Sequence, residues 1–115
     1  MSENSKTAFQ PLGNTVLVAA AAIAPAGVGV PTRTGELPSG QYRIINAGTN
    51  TVFLGVGATA SEAQTNSVAP VAGTPSRAIV LVPGAVEVFT FGEGAFFSGL
   101  AAAATTVYIT PGAGI

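Results

Sequence analysis

The sequence contains no cysteine, histidine, aspartate or tryptophan among its 115 residues. Without cysteine, a disulfide scaffold and thiolate metal sites are excluded. Without histidine, aspartate and cysteine, the usual catalytic triads and metal-ligand sets cannot be assembled. We therefore predict that the protein is not an enzyme and that it has no catalytic residues, no metal and no cofactor.

Charge is also scarce. Only 8% of the residues are charged, whereas an average soluble domain has about 25%. The four basic residues are dispersed along the chain, which predicts no nucleic-acid binding. With so little charge, repulsion between monomers is too weak to keep a free monomer in solution. We therefore predict an oligomer or a subunit whose surface is covered by partners. The alternative is a soluble monomer with a coat of threonine and serine.

The longest apolar run, VLVAAAAIA at residues 16–24, is too short to cross a membrane. Pro25, Gly27 and Gly29 interrupt it well before the roughly 20 residues that a membrane helix needs. A signal peptide is also disfavoured, because Pro25 would stand where the mature chain begins. We predict neither a membrane segment nor secretion.

Short runs rich in Val, Ile, Phe, Tyr and Thr alternate with glycines and prolines. This is strand composition, and turn signals at intervals of roughly 8–12 residues are typical of a sandwich or barrel. We predict an all-β, antiparallel β-sandwich of seven or eight strands, jelly-roll-like, at residues 15–115, preceded by an extended N-terminal arm at residues 1–14. The strand runs lie at residues 15–24, 41–47, 51–56, 78–82, 86–91, 95–100 and 105–110.

The alternation within these runs also predicts a core. In VEVFTF the aromatic side should face inward, which puts Glu87 at the rim of the core face or at a subunit contact. In TTVYIT the inward side should hold Val107 and Ile109. The four phenylalanines at 89, 91, 96 and 97 favour core packing over a sugar-stacking surface. The expected core residues are Val16, Val18, Ile44, Val52, Leu54, Val80, Phe89, Phe91, Val107 and Ile109.

The stretch QYRIINAGTNTVFLGVG at residues 41–57 predicts a hairpin that ends in glycines. Gly55, Gly57 and Ala60 match the dinucleotide-binding pattern G-x-G-x-x-G/A. However, only one or two helical turns, capped by Thr59 or Ser61, fit before Pro70, and no βαβ unit surrounds them. We interpret these glycines as structural, and VPGA at residues 82–85 as a tight turn.

Four residues are candidates for a partner interface. Arg43 lies within a strand run, where it could grip a carboxylate of a partner or serve as a solvated or edge-strand charge. Asn46, in the same run, is not one of the four, because we assign it to the turn that follows it. Phe9 and Leu12 of the arm should enter an apolar groove of a neighbouring subunit, although the arm could instead fold back on its own sandwich. Ile115 ends a glycine-rich tail. The tail cannot offset the entropy cost of its ordering by burying its own side chains, so contacts outside the tail must do so.

Three stretches together carry a resemblance. GQYRIINAGTNTVFLGVGATASEA, VLVPGAVEVFTFGEGAFFSGL and TTVYITPGAGI look like the small all-β virion proteins of tailed bacteriophages, most closely the capsid decoration, or cement, proteins. The resemblance implies a jelly-roll or related sandwich that sits on the capsid exterior as a dimer or trimer, assembled in the host cytoplasm, and bridges major capsid subunits. Another virion component, such as a head-tail connector, tail or fibre-base subunit, is the alternative. A carbohydrate- or receptor-binding module is less favoured.

Overall fold

The computed structural model describes residues 10–11, 13–30, 39–92 and 95–113. Strands β1 to β9 and one short helix, α1, are formed by these residues. The strands are β1 Gln10–Pro11, β2 Val16–Ala20, β3 Val28–Gly29, β4 Ser39–Asn46, β5 Val52–Gly57, β6 Ile79–Leu81, β7 Val86–Gly92, β8 Phe96–Ala101 and β9 Thr105–Ala113, and α1 is Ala60–Asn66 between β5 and β6.

The strands form two antiparallel sheets that pack face to face. Sheet 1 has the order β1/β2-β9-β4-β7, and sheet 2 has the order β3-β8-β5-β6. Both β1 and β2 pair with β9, at its two ends, so they share one edge position and each sheet is four strands wide. At one side of the sandwich the chain passes from sheet 1 to sheet 2, where an isolated parallel bridge joins Ala21 and Leu100.

The pairing follows the pattern of a long hairpin rolled into a sandwich. Strand β2 pairs with β9, β3 with β8, β4 with β7 and β5 with β6. Rolling this ladder places β9 beside β4 and β8 beside β5. Eight strands in this order make a jelly roll. The predicted all-β, jelly-roll-like sandwich is therefore confirmed.

The predicted hairpin at residues 41–57 is wrong. Strand β4 lies in sheet 1 between β7 and β9, whereas β5 lies in sheet 2 between β6 and β8. The connection at residues 47–51 therefore crosses from one sheet to the other. Its Ala-Gly-Thr-Asn turn is compatible with a hairpin and with a connection between sheets. The pairing of β4 and β5 with strands distant in the sequence decides between these two arrangements.

The core lies between the two sheets and follows the predicted alternation with one exception. Val18, Ile44, Val52, Leu54, Val107 and Ile109 are fully buried, and Val16, Phe89 and Phe91 are partly buried against them. Val80 is 51% exposed and was placed wrongly. Leu81 and Ile79 lie opposite the inward-facing Val52 and Leu54, so Val80 points outward. Three consecutive large apolar residues gave no alternation to decide this.

An aromatic cluster fills one part of the core. The ring of Tyr42 lies 5.2 Å from that of Phe97 and 5.9 Å from that of Phe91, measured between centroids. Phe91 also contacts Phe97 at 5.7 Å and Phe89 at 5.8 Å. Phe97 is fully buried. Core packing is thus confirmed for three of the four phenylalanines, whereas Phe96 faces the opposite side of sheet 2, against Gly29.

Asn46 ties the end of β4 to the loops around it, as the predicted turn role requires. Its amide nitrogen donates to the carbonyl oxygens of Leu81 and Asn50, each at 2.9 Å, and its amide oxygen accepts from the backbone of Gly48 at 3.0 Å. Because Leu81 belongs to sheet 2, the first of these bonds joins the two sheets. The adjacent turn at 82–85 is closed by a bond from Ala85 N to Val82 O.

Helix α1 covers the outer face of sheet 2, and this explains the glycine pattern. Thr59 caps the helix by accepting from Glu62 N, as predicted. A Cβ on Gly55 would lie 2.3 Å from Ala63 O, and one on Gly57 would lie 2.7 Å from the Glu62 side chain. The two glycines therefore let a helix lie directly on a strand, which is a packing role.

We expect Gly55→Ala to lower the free energy of unfolding by about 1–3 kcal/mol or more, because the added methyl group overlaps backbone atoms that cannot rotate away. Equilibrium urea denaturation measures this change. Ser61→Ala, at an exposed position of the same helix, is the control and should change stability by no more than about 0.5 kcal/mol. Equal stability of the Gly55 variant and the parent protein would contradict the close packing of α1 on β5.

Candidate functional site: the outer face of sheet 1

A row of apolar side chains crosses the outer face of sheet 1. Leu17 of β2 lies opposite Tyr108 of β9, Tyr108 lies opposite Ile45 of β4, and Ile45 lies opposite Val86 of β7. Leu17 is 50% exposed, Tyr108 40% and Val86 52%, and Ile45 is half-buried. These four residues, hereafter the apolar row, present one contiguous apolar strip on a rigid sheet.

A second row beside it holds the charge of this face. Arg43 of β4 lies between Thr110 of β9 and Val88 of β7, and Val88 is 48% exposed. The Arg43 side chain is exposed. Arg43 and Ile45 are two residues apart on one strand and so share a face. A guanidinium therefore stands next to the apolar row.

Arg43 is not an edge-strand charge, because β4 is flanked on both sides by β7 and β9. No ion pair of its guanidinium with an acidic side chain is found within the described ranges. The solvated interpretation and the partner interpretation both fit this position. A planar guanidinium on an exposed sheet face suits bidentate recognition of a carboxylate from another molecule.

The other predicted interface residues, Phe9, Leu12 and Ile115, lie outside the described residues. Within the segment interpreted as an arm, Gln10 and Pro11 pair with Ala113 and Gly112 of β9 in the same chain. For these two residues the arm follows its own sandwich, which was the alternative interpretation. A clasp through Phe9 and Leu12 stays a prediction.

Sequence reasoning did not find the apolar row as one surface. The alternation in TTVYIT indicated that Tyr108 points outward, and that in VEVFTF indicated the same for Val86 and Val88. What it did not show is that Leu17 and Ile45 stand beside them. That alignment depends on the register of four strands, and the sequence provided no signal for it.

A small open cleft lies elsewhere, at the C-terminal end of α1. It has a volume of about 260 Å³ and is lined by Thr65, Asn66, Val68, Pro75, Ser76 and Arg77. The Ser76 hydroxyl donates to Val68 O, so its proton is already engaged. Across the described part of the chain, no three carboxylate, histidine or cysteine side chains come together to hold a metal. The cleft offers a cation and amide groups and no general base.

No helix among the described residues is both long and apolar enough to cross a membrane. No protein-family model and no curated protein matches the chain.

Proposed function

We propose that the protein is a non-enzymatic structural subunit of a bacteriophage virion, which decorates the capsid and stabilises it by bridging major capsid subunits. The observation that carries this proposal is the apolar row on the outer face of sheet 1. The resemblance of three stretches to decoration proteins, the charge content of 8% and a jelly-roll fold, which viral capsid domains also use, support it.

The apolar row provides the binding energy in this proposal. A contiguous exposed apolar surface is typical of a contact with another macromolecule. A sheet whose strands are held by their ladders also keeps its side chains in place before binding, which reduces the entropy lost on association. Arg43 lies beside the row and would pair with a carboxylate on the capsid subunit. A subunit that binds only the assembled shell stabilises that shell by mass action.

A different virion role would use the same face. A head-tail connector, tail or fibre-base subunit also buries apolar surface against virion partners, so copy number distinguishes the two roles. In a reconstruction of the particle, a decoration protein should be present on the order of hundreds of times on the outer surface of the shell. A few copies to a few dozen at a vertex or along the tail would overturn the decoration role in favour of the second one.

We expect Arg43→Glu to weaken binding to capsid shells by about 10- to 100-fold, because a hydrogen bond to a charged group contributes about 1.5–3 kcal/mol and the new carboxylate also repels its partner. Co-sedimentation with shells of the major capsid protein from the same phage measures the occupancy. Arg77→Glu makes the same change of charge at an exposed site beside the cleft and should leave occupancy unchanged. Equal losses in both variants would show a general effect of charge and contradict a contact through Arg43.

A further inference from the structure

The four edges of the two sheets are unequal. In sheet 2, β3 has two residues and β6 has three. In sheet 1, one edge is divided between β1 and β2, and the other is β7, Val86–Gly92, with seven residues. Natural proteins protect sheet edges by keeping the strands short or broken. Among the described residues, three edges of this sandwich consist of short or divided strands and the β7 edge does not.

The free side of β7 offers backbone hydrogen-bonding groups. The bond from Asn46 N to Ala85 O sets the alternation of the β4–β7 ladder, so Glu87, Phe89 and Phe91 direct their backbone groups toward β4. Val86, Val88 and Thr90 direct theirs away from the sheet. Within the described residues, β7 pairs with β4 alone. Glu87 is the one charged residue of the strand, which contains no lysine, arginine or proline.

We propose that β7 pairs with β7 of a second copy of the chain, antiparallel, across a two-fold axis at Phe89. This pairing joins sheet 1 of both copies into one continuous sheet. We choose a second copy as the partner because both subunits of a two-fold dimer use the same surface. The outward N–H and C=O groups of β7 can therefore pair with the same groups of the second β7. The proposal does not depend on the virion role.

The charge and the aromatic residues of β7 select this register. With Phe89 opposite Phe89, the two strands overlap over their full length. Glu87 then lies opposite Phe91 and away from the second Glu87, which avoids the repulsion of like charges placed directly opposite. Phe89 and Phe91 are only partly buried at the rim of the core, and a paired second strand covers them with the same aromatic side chains.

Sedimentation velocity across a concentration series tests the pairing. We expect a reversible dimer, and we expect Val88→Pro to raise its dissociation constant about 30-fold. The substitution removes two of the intermolecular hydrogen bonds, which contribute about 1 kcal/mol each, and spares the β4–β7 ladder because the Val88 N–H points outward. Val88→Thr keeps that N–H and is the control, which should dimerise like the parent. The far-UV spectrum of both variants should stay that of the parent.

A monomeric parent protein at millimolar concentration would overturn the proposal. So would a folded Val88→Pro variant that dimerises as tightly as the parent. If Val88→Pro does not fold, Val88→Lys combined with Thr90→Lys replaces it, since both lysines lie on the solvent side of the edge. This double variant should be monomeric, and a dimer as tight as that of the parent would overturn the pairing.

Cysteine crosslinking tests the register, and the chain has no cysteine of its own. With the axis at Phe89, Val88 lies opposite Thr90 of the second copy, at a Cα separation of about 5.5 Å that suits a disulfide. A mixture of Val88→Cys and Thr90→Cys should therefore form crosslinked dimers under mild oxidation. Each variant alone should form few crosslinked dimers, because its cysteine and the same cysteine of the second copy are diagonal neighbours and lie farther apart. Efficient crosslinking of either variant with itself, or none in the mixture, would overturn the register.

Discussion

Replacing Phe97 with alanine should lower the free energy of unfolding by about 3–5 kcal/mol, which is among the largest effects expected for one side chain. Phe97 is fully buried, and its ring meets Tyr42 and Phe91 edge-on. Truncation removes these contacts and leaves a cavity between two sheets whose backbones are fixed by their ladders. In a domain of this size the melting temperature should fall by roughly 15 °C or more.

Phe96 provides the matched control for Phe97. It is the preceding residue on the same strand and of the same type, but it faces outward and is half-buried. Phe96→Ala should lower the free energy of unfolding by about 1–2 kcal/mol, in proportion to the smaller apolar area that it buries. Urea denaturation measures the loss of unfolding free energy in both variants, and we expect the dependence of that free energy on urea concentration to stay unchanged. Equal effects at 96 and 97 would contradict the alternation of β8 and the position of the core.

Replacing Asn46 with alanine should lower the free energy of unfolding by about 2–4 kcal/mol, because three backbone groups lose their partner at a fully buried position. The carbonyl of Leu81 belongs to sheet 2 and that of Asn50 to the crossing loop, so the loss loosens one end of the sandwich. The backbone N–H of Gly48 also loses its acceptor. Thermal unfolding and hydrogen exchange of the 47–51 connection measure the effect.

Two further variants separate this network from a general effect of truncation. Asn50→Ala removes a longer bond, 3.2 Å to the Thr105 hydroxyl, at a half-buried site, and should lower stability by about 1 kcal/mol. Asn46→Asp preserves the shape of the side chain but replaces the donor with an acceptor. It should be at least as destabilising as Asn46→Ala at neutral pH, because a buried carboxylate would face two carbonyl oxygens. An Asn46→Asp variant as stable as the parent would contradict the assigned network.

Much of the local structure is predictable from the sequence. All seven apolar runs contain a strand, because β-branched and aromatic residues with period-two alternation favour the pleated, half-buried conformation. Thr59 was identifiable as a helix cap because its side chain satisfies a free N–H at the helix start. The strands Gln10–Pro11 and Val28–Gly29 were missed, since two residues are too few to show a period.

The candidate site was less predictable. Arg43 was singled out because a charge within a strand run is conspicuous, and it does lie on an exposed face. The expected core residues Val16, Val18 and Ile44 leave Leu17 and Ile45 on the outer side of their strands, but no local pattern aligns these two residues across neighbouring strands. Val80 was misplaced because its run of three large apolar residues shows no alternation.

The sequence by itself determined the all-β fold class of the protein and the orientation of many side chains. Its composition excludes the usual catalytic and metal-binding groups, and alternation assigns residues such as Tyr108 and Val107 to opposite faces. Only the tertiary structure decided which strands are neighbours. That decision separated β4 from β5, aligned Leu17, Tyr108, Ile45 and Val86 in one row, and left β7 at an edge. The physical reason is that alternation is a local property of one strand, whereas pairing is chosen by how well distant strands together bury their apolar faces and satisfy their backbone groups.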